Sequence, residues 1–386
     1  MDPEKYRNSS TGSPILTQRG YWVFVPAPLP PAIPWSNLLV SILSDADRAL
    51  SKLAGYCTTI SDTHLYTRPF LALEAMLSSR IDGIRTSLEG LFTYAVAPVS
   101  GQLTFSETQQ VNNCLLALEH GLSRLTTMPV CLRLTLTLHE KLFSGVEEVD
   151  VKPGEFRKIQ NWIGHPGSTL ESARYVPPPV PEMHELLEGL EKFIYAAHSL
   201  PPLIRLGLIH YQFEAIHPFL VGNRCVGRML ITLLLVEFGL LPLPLLYLSV
   251  YFEANRSEYL NHLQNVSQRG DWGAWLLFFL EGVRRGSQDA LAHLQRLEEL
   301  RLGYRQILAG ERNAGRLMDV VNFLFGQPIV TIRGVEVAIH ARDYKIAQRY
   351  VERLGALGIL REITGRKRDR IYRADDILDA IQEPLK

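Results

Sequence analysis

Twelve residues at 217–228, HPFLVGNRCVGR, set a histidine, a Gly-Asn turn and an arginine between two apolar runs, LIRLGLIHYQFEAI before them and MLITLLLVEFG after them. Gly222 and Asn223 directly precede a stretch that turns helical. The loop therefore presents backbone N–H groups at a helix N-terminus, where orphan donors and the macrodipole stabilise an anion such as phosphate. Arg228 falls about one turn into that helix and reaches the same spot. His217 lies on the other side of the loop, and its near-neutral pKa suits it to accept a proton at pH 7. Base, anion cradle and cation together are the parts of phosphoryl or nucleotidyl transfer. The same spacing also fits a capped helix with a buried histidine and a surface arginine, so spacing alone leaves both readings open.

The elements that would hold these residues are mostly helical. A chain of 386 residues with 46% hydrophobic content has ample material to bury and suggests two or three domains. Forty basic residues balance forty acidic ones, so no global charge argues for nucleic acid or membrane and any basic patch must be local. Cys57, Cys114, Cys131 and Cys225 stand far apart in sequence with no CxxC pair. That argues against a zinc site or a disulfide framework and fits a reducing, cytoplasmic setting. The longest apolar run, Met229 to Leu248, is broken by Glu237, Gly239, Pro242 and Pro244, and reads as a buried core helix rather than a membrane span.

Residues 1–34 form a proline-rich N-terminal arm, expected to lie extended across a folded surface. Residues 35–143 carry apolar positions three and four apart, the pattern of an N-terminal helical region. Residues 144–312 open with short alternating apolar positions and turn residues, expected of a small hairpin or flap, before helices resume at Glu182 and carry the loop. Near Asn313 the composition shifts, and 313–386 read as three helices followed by a strand pair, the order of a winged helix-turn-helix. The expected fold is therefore mainly α: an all-helical core with a small β-hairpin flap, plus a C-terminal winged helix-turn-helix domain.

The segment IHYQFEAIHPFLVGNRCVGRML resembles the signature of the Fic family, proteins that mostly transfer AMP from ATP to a hydroxyl side chain. The family pattern is His, any residue, Phe, any residue, Asp or Glu, Gly, Asn, Gly or Lys, Arg, two residues of any kind, Arg. His217, Phe219, Gly222, Asn223 and Arg228 match it. The resemblance extends to SSRIDG at 78–83, FRKIQNWIG at 156–164, VPPPVPEM at 176–183 and the stretch from Tyr247 to Val283. It implies that His217 is the general base for an incoming Ser, Thr or Tyr hydroxyl of a target protein. It makes Phe219 the loop anchor, and Gly222, Asn223, Arg224, Gly227 and Arg228 the phosphate site. The stretch QNWIGHPGSTLESARY would be a flap that holds the target by strand addition. Tyr251, Asn255 and Tyr259 would line the nucleoside side, though as sequence they equally fit exposed helix polar positions.

Three positions depart from the pattern. Val221 stands where an acid would hold Mg²⁺, which needs hard oxygen ligands. Arg224 fills the small-or-Lys position, and Cys225 replaces the first arginine. Losing a metal anchor and a clamp, each worth roughly 3 kcal/mol or more, predicts an impaired enzyme. In SSRIDG, Ser78, Asp82 and Gly83 resemble the family's self-inhibiting helix, with Asp82 one methylene shorter than the usual glutamate and facing Arg228. Relatives also imply a homodimer.

Between His340 and Arg373 ten Lys or Arg stand against four Asp or Glu. In a winged helix, Tyr344, Lys345, Gln348 and Arg349 would face the major groove and Arg366, Lys367 and Arg368 would form a wing tip on phosphates. A protein-binding module with a solvated basic hairpin fits the same residues. Two functions follow: a protein adenylyltransferase using ATP, impaired at Val221, Arg224 and Cys225, or a lapsed module serving as nucleotide sensor or scaffold of a DNA-binding regulator.

Overall fold

A computed structural model describes residues 1–98, 103–146, 152–165, 167–197, 199–366 and 368–382. Strands β1 (Gly12–Leu16) and β2 (Trp22–Pro26) pair antiparallel at the start of the chain. The arm expected to lie extended does so in part as a two-stranded ribbon. Val23 and Phe24 from it pack with Tyr6, Ala173, Tyr175 and Val176 in a small apolar cluster of their own. The Phe24 N–H donates to Val176 O at 2.8 Å, so the arm braces the base of the flap.

Helices then follow: α1 (Asn37–Thr59), α2 (Thr67–Ile81), α3 (Leu88–Val96), α4 (Leu103–Arg124) and α5 (Leu132–Leu142). Helix α1 starts where the Ser36 hydroxyl accepts from the Leu39 N–H, and buries Leu39, Ala46, Leu50 and Leu53 along one stripe. The flap region holds no regular strand among the described residues. The expected hairpin reduces to a single bridge, Ile163 opposite Tyr175. Its glycines and prolines interrupt any longer ladder.

The centre is built from α6 (Val180–Tyr195), α7 (Pro202–Ile216), α8 (Asn223–Glu237), α9 (Ser249–Ala254), α10 (Arg256–Arg269) and α11 (Trp272–Leu308). Helices α7 and α8 are buried on nearly every side, as their apolar composition demands. At 37 residues, α11 is about 55 Å long and packs on α1, α7, α9 and α10.

The C-terminal part comprises α12 (Ala314–Gly326), β3 (Ile329–Thr331), α13 (Ile332–Ala338), α14 (Tyr344–Ala356), β4 (Arg361–Glu362), β5 (Ile371–Arg373) and α15 (Asp375–Gln382). Three helices and a strand pair were expected; β3 and α15 are additional. The sheet is antiparallel in the order β3-β5-β4. Its core is continuous with the rest, one apolar cluster running from Leu39 to Ile381. No helix among the described residues is long and apolar enough to cross a membrane.

Candidate functional site

The loop between α7 and α8 exists because two residues adopt left-handed backbone. Helix α7 stops at His217, with φ 49° and ψ 61°, and α8 starts after Gly222, with φ 80°. At Gly222 only glycine fits: a Cβ would stand 2.6 Å from the Phe143 ring, besides the strain of positive φ. Asn223 uses its whole side chain internally, accepting from the Phe219 N–H and donating to the Phe219 carbonyl, both at 2.8 Å. It braces the loop. Phe219, fully buried, stacks on His139 with ring centroids 3.9 Å apart.

Three side chains that sequence reasoning passed over hold this loop. Arg157 is buried, and its Nε donates to the His217 carbonyl at 3.0 Å while the remaining nitrogens reach the carbonyls of Pro178 and Ile159. Burial pulls its guanidinium down to about 10. Asn161 donates to the Phe219 carbonyl at 2.7 Å. His139 accepts from the Gly154 N–H at 3.0 Å through Nδ1, which leaves Nε2–H to donate to the Val221 carbonyl at 3.2 Å. FRKIQNWIG signalled a shared segment, but backbone-directed bonds spanning 58 to 82 residues have no sequence pattern.

His217, Val221, Gly222, Asn223, Arg224 and Cys225 line one cavity of about 360 Å³ with Asp82 and with Trp162, Ile163 and Gly164 of the flap. Proton acceptor, helix N-terminus and flap edge thus meet. Helix α8 has no side-chain cap, so its first N–H groups have no side-chain partner. Burial first, then the charges of Arg224 and Arg157, push the His217 imidazole down to about 3 against the Glu214 backbone, which raises it, and its Nδ1 has no hydrogen-bond partner among the described residues. It is neutral at pH 7; an anion in the cavity would raise its basicity.

Gly227 and Arg228 do not line this cavity. A Cβ on Gly227 would meet Glu214 Oε1 at 2.6 Å, so Gly227 lies at the close crossing of α7 and α8. Arg228 is buried behind the loop: Nε donates to Ser78 Oγ at 2.7 Å, and Nη2 donates to the Ser78 carbonyl at 2.9 Å and to Asp82 Oδ2 at 2.6 Å. Arg224 Nη1 approaches the other oxygen of Asp82 at 3.4 Å. One short carboxylate therefore bridges two arginines, with one contact to each. Burial opposes the charge of Arg228, but Asp82 foremost outweighs it and holds the guanidinium above its ordinary value. Gly83 follows with φ 94°, turning the chain off the end of α2.

Tyr251, Asn255 and Tyr259 are not brought to the His217 cavity. Tyr259 is fully buried with its hydroxyl 2.7 Å from His210 Nε2, Tyr251 packs on Phe278 at 5.0 Å, and Asn255 donates back to the Tyr251 carbonyl at 2.9 Å. The residues of α10 that do approach are Leu260, Leu263 and Gln264, which line an adjoining cleft with Glu214, Arg224 and Ile163.

A metal anchored by the protein does not fit this loop. Residue 221 offers no side-chain oxygen, its carbonyl faces His139, and Asp82 is engaged by two arginines. Among the described residues no group of three or more His, Cys, Asp or Glu is placed to hold a metal ion.

At the C-terminal end, Tyr344, Lys345 and Arg349 are exposed on α14, and Gln348 donates to Glu352 at 2.7 Å. Arg366 and Arg368 are exposed; Lys367 lies outside the described residues. The basic patch is smaller than its sequence count. Arg353 pairs with Glu311, Arg361 with Asp375, and Arg373 with both Asp375 and Glu89.

Residues 129–235 match the Fic/DOC family and residues 40–123 match the Fic/DOC family N-terminal region. The first span contains the loop and the second contains Ser78, Asp82 and Gly83. A protein adenylyltransferase Fic from Drosophila ananassae is 26% identical over 156 residues, 40% of this chain and 28% of that protein. The Drosophila melanogaster protein of the same name is 27% identical over 148 residues, 38% of this chain and 26% of its own length. These matches span less than a third of the relatives' length. The crystal structure of a Fic family protein from Desulfovibrio desulfuricans G20 shares the fold at a TM-score of 0.58 and 17% identity, over 90% of this chain and 98% of that one. Fic-1 from C. elegans does so at 0.53 and 19%, over 68% and 74%.

Proposed function

We propose that the chain is a Fic-type protein adenylyltransferase whose loop cavity takes the phosphates of ATP and whose activity is held down by Asp82. One observation carries this reading: His217, the uncapped N-terminus of α8 and the flap edge at Trp162–Gly164 line the same cavity. Unsatisfied atoms support it. Among the described residues, His217 Nδ1 at the cavity and Glu214 Oε1 beside it are buried without a hydrogen-bond partner, an uncommon state for buried polar atoms.

In the proposed reaction, the His217 imidazole takes the proton of a Ser, Thr or Tyr hydroxyl on a target protein held along the flap. The freed oxygen attacks the α-phosphate and pyrophosphate leaves. The backbone N–H groups of α8 and Arg224 stabilise the charge that develops. Asp82, in the position of an inhibitory carboxylate, occupies both arginines and must release them first. The chain supplies no metal ligand at 221, so nucleotide affinity is expected to ignore Mg²⁺. The segmentation at residues 34, 143 and 312, the homodimer and the cytoplasmic setting belong to the same proposal.

The test is transfer of label from α-labelled ATP by Asp82→Ala in Mg²⁺ or Mn²⁺. Label on the protein itself or a partner supports the proposal. No label, together with no heat of ATP binding by calorimetry, overturns it. Heat of binding without label favours the second reading, a lapsed nucleotide sensor joined to a DNA-binding winged helix at 313–386. The outward placement of Tyr344, Lys345 and Arg349 favours that reading, and Lys345→Ala with Arg349→Ala should then abolish any anisotropy change on duplex DNA.

A further inference from the structure

The sequence separates the cysteines, but the fold brings two of them together. Cys114 Sγ on α4 and Cys225 Sγ in the first turn of α8 stand 3.2 Å apart, 111 residues distant in the chain, and both are free thiols. Closing to a disulfide needs a movement of about 1.2 Å, to a bond of about 2.05 Å. The two sulfurs differ in access. Cys225 lines the loop cavity, whereas Cys114 lies behind it. Cys57 is buried and Cys131 is half-buried, and neither lines that cavity.

We propose that Cys114 and Cys225 form a peroxide-sensitive dithiol that, when oxidised, bolts the start of α8 to α4. A hydroperoxide is small enough to enter the cavity. Cys225 attacks one peroxide oxygen, the O–O bond breaks, and a sulfenic acid and water result. The Cys114 sulfur then attacks the Cys225 sulfur, the S–OH bond breaks, and a second water leaves with the Cys114 proton. Two thiols lose two electrons and hydrogen peroxide becomes two waters. The neighbouring sulfur and burial hold the Cys114 thiol well above its ordinary pKa, and access through the cavity assigns the attack to Cys225.

The bolt acts on the walls of the cavity. Gln110 of α4 lines it, and the Asn113 amide holds the carbonyls of Leu142 and Ser144 at 3.2 and 2.8 Å, beside the Phe143 ring that confronts Gly222. A bond from residue 114 to residue 225 fixes this wall against the loop. The inference needs no assumption about which ligand the cavity takes.

The experiment uses the full chain carrying Cys57→Ser and Cys131→Ser, treated with hydrogen peroxide and read by intact mass and peptide mapping. A loss of two hydrogens with a single linked peptide pair containing residues 114 and 225 is expected, reversed by a thiol reductant. Further replacement of Cys225 by Ser, or of Cys114 by Ser should the first not fold, abolishes the link. Two or three oxygens retained on Cys225 without a link, linkage between molecules, or two thiols left unreacted would each overturn the proposal.

Discussion

Charge is used in opposite ways at the two ends of this molecule. Around the loop a few charged groups are buried and locked: Arg157 by three backbone carbonyls, Arg228 by Ser78 and Asp82, His217 held neutral. In the C-terminal part many charges lie at the surface, several in exposed pairs such as Arg353 with Glu311. The first arrangement lies mostly out of solvent, so losing a contact leaves a buried polar group unpaired and the contacts fix geometry. The second is screened by solvent and salt, and tunes attraction rather than shape. A residue count along the sequence does not distinguish them.

Substitutions can sharpen that contrast. Arg157→Ala should have the largest effect, destabilising the chain by about 3–5 kcal/mol in urea unfolding, because three carbonyls lose their donor and a void opens. A loss below about 1 kcal/mol would place Arg157 in the surface regime and break the comparison. Gly222→Ala follows, at about 2–4 kcal/mol, from positive φ and the clash with Phe143. Unchanged thermal stability would mean the loop has an alternative path.

Glu214→Gln tests buried charge through pH. Burial, offset in part by Arg228 and Arg224 and reinforced by Asp82, raises the Glu214 carboxyl from 4.5 to about 7. The folded chain therefore keeps a proton that the unfolded chain releases above 4.5. This group costs nothing below that pH, and its penalty grows by about 1.4 kcal/mol per pH unit until about 7. His139, His210 and His217, lowered to about 4, 3 and 3, act with the opposite sign, destabilising the fold as pH falls below 6.5. They are common to both proteins and cancel in the difference. The stability of the Gln variant relative to the parent should rise steadily from pH 4.5 to 7; a flat difference would show the carboxyl is already solvated. At the other extreme, Arg353→Ala should leave the urea midpoint unchanged within error, and a measurable fall would reveal a hidden network there.

What the sequence displayed was local. His217, Phe219, Gly222 and Asn223 lie within seven residues, and their types announce a loop; the helical periods of α1, α7, α10 and α11 announce themselves likewise. Ser78, Asp82 and Gly83 had meaning only through resemblance, yet the fold sets Ser78 and Asp82 on Arg228. Orientation was illegible: Gly227 lies at a helix crossing, and the Tyr259 hydroxyl meets His210. The β1–β2 ribbon escaped notice because GSPIL has no strand alternation and its partner WVFVP runs into prolines. Its pairing comes from the cluster it shares with the flap. Arg157, Asn161 and His139 were hidden because their targets are main-chain carbonyls.

Helix α11 touches α7 and α10 at one end and α12 and α15 at the other without interruption. Severing the chain after it would not free an independent module, since Tyr304 and Leu308 would be stripped of their cover. The two halves should therefore melt as one event, and truncation at residue 313 should yield fragments that aggregate.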